Sequence, residues 1–215
     1  MPLERSRSHV RSRSRSENKE LTRQALLRAA LKLLSQNSFD SISLREVTRE
    51  AGITPTAFYR HFDDMDELGL VLVEESFGSL GTMLRDARAD PTIADDAIRR
   101  SVETVVIHVR DHGPHMRFIA RERHGGVRRL RRAIGRELGL FANELAVDLA
   151  AFPVVDRWST DDRRMLADLI VEVMVSMAAD LLDADADERD ELAHRTERQL
   201  RLVTLGAMTW RPRPA

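Results

Sequence analysis

The stretch "SLREVTREAGITPTAFYRHF", Ser43 to Phe62, decides how this chain is read. Ser43 with Glu46 three residues on forms a capping box, each side chain satisfying the other's free backbone N–H. Leu44, Val47 and Ala51 then recur at helical spacing, and Gly52 stops the helix. Thr54 caps a second helix whose first position is Pro55, where the missing N–H costs nothing. Two short helices about a tight glycine turn have the arrangement of a helix-turn-helix. In the second, expected over residues 55–61, only Ala57, Phe58 and Phe62 can anchor in a core. Thr54, Thr56, Tyr59, Arg60 and His61 are left facing outward. Threonine hydroxyls can reach a phosphate or a base edge, and Tyr, His and Arg can donate to phosphates. Such a face suits insertion into a DNA major groove, against the bland reading of a solvated helix.

Outward from this stretch the helical period recurs almost without interruption. Leu21, Ala25, Leu26, Ala29, Leu33 and Leu34 make an amphipathic stripe ended by Asn37-Ser38. Beyond Phe62, Asp63 or Asp64 caps a long run reaching about Arg88, and Pro91-Thr92 opens a helix to about His112. Gly113-Pro114 breaks it before a short helix to Arg123, and Gly125-Gly126 precede one over about Val127 to Phe152. Ser159 caps a helix to about Leu182, and a last one runs from about Asp187 to Trp210. The expectation is an all-α fold of about nine helices: a disordered basic arm (1–17), a helix-turn-helix domain (18–63) and an effector-binding and dimerisation domain (64–215).

Composition agrees with a soluble globular chain, 42% hydrophobic and 32% charged over 215 residues. No window approaches a membrane span and no apolar leader opens the chain, so a cytoplasmic location is expected. Cysteine is absent, which removes disulfides and thiolate chemistry. Charge is informative once divided. Residues 1–62 hold twelve Lys or Arg against six Asp or Glu, leaving net −7 to the rest within a total of −1. A basic front on an acidic body suggests a polyanionic partner. "RSRSHVRSRSRS" sharpens this: Arg5, Arg7, Arg11, Arg13 and Arg15 stand without an acid or an apolar period, as in a phosphate- or minor-groove-binding arm, a merely solvated start or an organelle leader.

The segment "TRQALLRAALKLLSQNSFDSISLREVTREAGITPTAFYRHFDDMDELGLVLV" closely resembles the TetR family of one-component transcription regulators. Within it the stretch is most similar to the FabR/DesT-type repressors of unsaturated fatty acid synthesis, whose "RFxxRERxG"-like segment resembles Arg117-Phe118 through Arg121-Glu122-Arg123-His124-Gly125. The resemblance implies a three-helix DNA-binding head and an effector domain dimerising through its last two helices. It implies DNA contacts from Ser43, Arg45, Thr54, Thr56, Tyr59 and His61. Many members place a basic residue just after the recognition helix, where it meets a phosphate. Here Asp63-Asp64 occupy that spot, and the contact is not carried over.

Eight arginines lie between Arg117 and Arg136, against the single acid Glu122. Gly125-Gly126 let a backbone approach just before a helix start, an arrangement that favours phosphate. Arg121, Arg128 and Arg129 are thus candidate phosphate ligands. Val105, Val109, Phe118, Ile119, Leu138, Phe141 and Val173 are candidate walls for an apolar tail. Arginines beside a greasy interior match a fatty acyl-CoA, which the resemblance also implies; the plain alternative is that they are solvated or paired with acidic helices. His108, His112 and His115 include an i, i+4 pair compatible with a metal, but no His-Glu-x-x-His pattern accompanies them and pocket or surface histidines are the simpler reading. No nucleophile elbow and no Gly-rich phosphate loop ending in Lys occurs. Neither an enzyme nor a cofactor is expected. The competing class is a helical adaptor whose Arg/Ser arm binds RNA or protein partners.

Overall fold

The computed structural model describes residues 4–78, 80–88, 94–153 and 155–210, with the backbone alone for residues 4–15 and 94. Among these are ten α-helices, one 3₁₀ turn and no strand. The head comprises α1 (Glu4–Leu34), the 3₁₀ turn Phe39–Ser41, α2 (Leu44–Glu50) and α3 (Pro55–Phe58). The body comprises α4 (Met65–Phe77), α5 (Leu80–Ala87), α6 (Ala94–Asp111), α7 (Gly113–Glu122), α8 (Arg128–Leu149), α9 (Thr160–Asp180) and α10 (Ala186–Thr209). None of the described helices is long and apolar enough to cross a membrane.

Two expectations change. The run from 64 to about 88 divides at Gly78 into α4 and α5, glycine being the weakest helix former after proline. The segment expected as a disordered arm has a helical backbone from Glu4. Arginine is a good helix former, and extending an existing helix needs no new nucleus. The side chains of Arg5, Arg7, Arg11, Arg13 and Arg15 lie outside the described residues.

Local signals set the head. The Ser43–Glu46 capping box is complete. Gly52 takes φ +70°, and the Ile53 and Gly52 N–H groups return to the Thr48 and Arg49 carbonyls, the hydrogen bonding of a Schellman helix end. Thr54 caps α3 by accepting from the Ala57 N–H. The α-helix proper ends at Phe58, shorter than the expected 55–61, and looser turns continue to Phe62.

Head and body share one core. Leu26, Leu27, Ala30 and Leu34 of α1, Val47 of α2, Phe58 and Phe62 are buried in one cluster with Leu68 and Leu72 of α4, Phe118 and Ile119 of α7, and Leu130 and Ile134 of α8. Burying each such side chain is worth about 1.5–3 kcal/mol. A second cluster joins Val102, Val105 and Val109 of α6 to Met116, Met177, Leu181 and Leu200. Farther along α8 and α9, Ala142, Leu145, Ala146 and Ala167 form a third. Trp158, Val155, Leu166 and Ala207 form a fourth.

Candidate functional site

The outer face of the head is polar and accessible. Ser43, Arg45, Thr54, Thr56, Tyr59 and Arg60 are all exposed, Tyr59 at 61% with its ring edge-on to Phe58. Neither Arg45 nor Arg60 forms an ion pair among the described residues. Ser43 and Thr54 serve the local fold as caps while staying at the surface. The Ser43 hydroxyl and backbone N–H hold the Glu46 carboxyl below its ordinary range. His61 departs from expectation. It is half-buried, its Nδ1 is enclosed without a partner, and burial, then Lys19 and Arg23, push its pKa down. Unlike its neighbours on this face, it is therefore not fully outward.

A joint connects this face to the body. The Phe39 N–H donates to Glu122 Oε1 at 2.8 Å, and Arg121 Nη1 donates to the Leu34 and Asn37 carbonyls at 3.1 and 2.6 Å. The Phe39 ring tilts against Phe118, centroids 6.3 Å apart. Glu122 is 1% exposed and its Oε2 has no partner. Burial pushes its carboxyl up, aided by the Asp40 charge. Arg121 and Phe118, expected at a ligand, are therefore committed to holding the head. Gly125 and Gly126 pack directly on the carboxylates of Glu122 and Asp40, and both glycine carbonyls accept from Arg131 Nη1. Two carboxylates would repel a phosphate, so this turn is not the anion cradle its glycines suggested.

The remaining arginines of the cluster disperse as well. Arg117 pairs with Asp183 at 2.7 Å and Arg123 with Glu172 at 2.5 Å. Arg129 lies 3.2 Å from Asp66 and 3.7 Å from Asp64. Arg128 is exposed, with no partner among the described residues. Neither Arg128 nor Arg129 lines the large apolar cavity of the body.

The cavity itself, about 470 Å³, lies among α4 to α10. Its walls are apolar, with Phe77, Leu84, Val105, Met116, Ile119, Leu138, Phe141, Leu145, Ile170, Met174 and Leu200 among them. Four of the expected tail contacts, Val105, Ile119, Leu138 and Phe141, are brought together there. Val109 and Val173 instead pack in the core of α6, α9 and α10, their helix faces turned one step from the opening. Arg85–Glu144 and Arg88–Asp148, both at 2.8 Å, close part of the wall. No sequence pattern marked Arg85, Arg88 or Leu84 as lining a cavity, because the cavity is assembled from seven helices and has no local signature. His108 also lines it, 2% exposed and stacked on His112 with centroids 4.3 Å apart. Burial, then the His112 charge, lower its pKa, with the Ser76 backbone acting the other way. Face-to-face stacking does not chelate, and among the described residues no group of three His, Asp or Glu is arranged to hold a metal.

The described residues thus join a helix-turn-helix head to a helical body with a central apolar cavity. Residues 26–70 match the family model of bacterial regulatory proteins of the tetR family. Solved structures are similar in fold over most of the chain. The fatty acid degradation regulator FadR of Bacillus halodurans superposes with a TM-score of 0.68 at 14% identity, covering 89% of this chain and 97% of that one. A TetR-family transcriptional regulator of Streptomyces coelicolor gives 0.66 at 19%, covering 87% and 96%. FadR of Bacillus subtilis, solved in complex with stearoyl-CoA, gives 0.68 at 14%, covering 85% and 98%. The head thus matches the family model over residues 26–70, and the rest of the chain is similar to these regulators in fold.

Proposed function

We propose that the chain is a homodimeric repressor that reads a palindromic operator with α2 and α3 and changes its operator affinity when a long-chain fatty acyl-CoA occupies the cavity. The observation that carries the ligand class is the cavity: about 470 Å³ walled mainly by aliphatic and aromatic side chains, with Arg85, Arg88, Arg123 and Asp148 among the rest, in the size range of drug-sized ligand sites. The likeness to a regulator bound to stearoyl-CoA points the same way. In this reading Thr54 and Thr56 meet base edges or backbone, Ser43, Arg45 and Tyr59 meet phosphates, and the arm arginines Arg5, Arg7, Arg11, Arg13 and Arg15 serve the flanking duplex. With Arg121 holding the head and Arg128 and Arg129 outside the cavity, the CoA phosphates are not assigned to those three residues. Fatty acid or lipid metabolism genes are the corresponding targets.

Titration calorimetry with palmitoyl-CoA, palmitate and free CoA, paired with genomic footprinting with and without the thioester, tests this reading. Binding of palmitoyl-CoA but not of CoA, together with an altered footprint, is expected. Footprints indifferent to any acyl ligand would return the effector to an unrelated apolar class.

A further inference from the structure

Asp63 and Asp64 follow the recognition helix directly and both are exposed, and Asp66 stands beside them in the first turn of α4. Carboxylates at that edge would repel a duplex lying against α3. The structure places a compensating charge there from another part of the chain. Arg129 of α8 sits on Asp66 and Asp64 at 3.2 and 3.7 Å while its own side chain stays 55% exposed. Arg128, next to it, is exposed and has no carboxylate partner among the described residues.

We infer that Arg128 and Arg129 form a DNA-backbone contact that the effector body adds to the head, an inference that rests on reading the head as operator-binding. Asp64 caps α4 just past α3, so Arg129 stands at that edge of the head, and with Arg128, Arg132 and Arg136 the exposed face of α8 sets four positive charges against Asp63, Asp64 and Asp66. This basic face does not follow from composition, since residues 63–215 carry net −7. The exposed face continues through Arg132 and Arg136, about 6 and 12 Å farther from Arg128 along a helix rising about 1.5 Å per residue. Their contribution falls with distance, because exposed charges are screened over about 8–10 Å. The same helix presents Leu138, Phe141 and Leu145 to the cavity. One rigid element thus carries both a ligand wall and a backbone contact, so a displacement of α8 alters DNA affinity without touching the base-reading side chains.

The test is operator and scrambled-duplex binding by the full-length protein across a salt series, for wild type, R128Q/R129Q, R132Q/R136Q and D64N/D66N. A phosphate contact carries no base information and releases counterions. R128Q/R129Q is therefore expected to weaken both duplexes by the same factor and to flatten the dependence of log K on log salt by up to about 1.8 for two contacts. R132Q/R136Q should do so less. D64N/D66N, which keeps an amide capable of capping α4, should tighten both. An unchanged salt slope in R128Q/R129Q overturns the inference, as does a loss confined to the operator. Weaker binding by D64N/D66N would also overturn it, making the ion pair a mere brace for α4. Failure of wild type to prefer the operator at all would overturn the operator reading itself, a separate result.

Discussion

Gly69 of α4 shows how closely head and body approach. A Cβ there would lie 2.7 Å from Phe39 Cζ and 2.9 Å from Leu130 Cδ2, atoms that belong to the head, the body and one shared core. Gly69→Ala is predicted to destabilise the protein by about 1–3 kcal/mol, the usual cost of overpacking. An unchanged thermal midpoint would show that the joint yields. On the outer face, Thr56 is exposed and free of any capping duty. Thr56→Ala is expected to weaken operator binding by about 1–3 kcal/mol and relax preference at one base pair. Tyr59→Phe should weaken operator and random duplex alike, because it removes a phosphate donor. If neither variant changes operator affinity in a titration, α3 is not the reading element.

Among the helices, α7 joins the two functions. Its Ile119 and Met116 face the cavity, while Arg121 and Glu122 grip the turn after α1. Glu122 supplies a pH signature. Burial raises its carboxyl above the ordinary 4.5, so the folded state binds this proton more tightly than the unfolded chain does. Its favourable contribution is complete below the unfolded value and is lost as pH rises through the folded one. Glu122→Gln does not titrate and keeps an oxygen for the Phe39 N–H. The stability of wild type relative to this variant is therefore predicted to fall as pH rises from 4.5 toward neutrality; chemical denaturation at several pH values measures it, and a flat difference would refute the linkage. The helices themselves were legible because caps and periods are local: Ser43, Gly52, Thr54 and Ser159 do their work within a few residues. The roles of Arg121, Arg128 and Arg129 were not. An arginine's partner is set by which distant backbone or carboxylate the fold delivers, and charge clustering in sequence is silent about that.

For the molecule as a whole, the same division holds. Periodicity announced an all-helical chain and its glycine turn announced the head. The cavity emerges only when seven helices converge, and the head–body joint only when α7 meets the turn after α1. Dimerisation lies between these cases. In α9 and α10 the apolar residues do separate into two sets: Leu166, Met177, Leu200 and Ala207 face inward, whereas Met165, Leu169, Leu202, Leu205 and Met208 are exposed. A stable dimer through that outer set is predicted. Sedimentation should give a dimer at micromolar concentration, and Leu169→Glu with Leu205→Glu should give a folded monomer with greatly reduced operator affinity; a monomeric wild type would contradict it.

The core shared by Leu26, Phe39, Phe118 and Leu130 has a consequence for how the head breathes. Its innermost amides cannot meet solvent unless the body opens too, so their deuterium uptake should track whole-molecule opening rather than local fraying. A ligand bound only to the folded body then slows exchange in a head it never touches, by the full mass-action factor 1 + [L]/Kd. Amides of α1 near Ala30 that exchange at the same rate with and without saturating palmitoyl-CoA would mean that the two parts open independently despite their common interior.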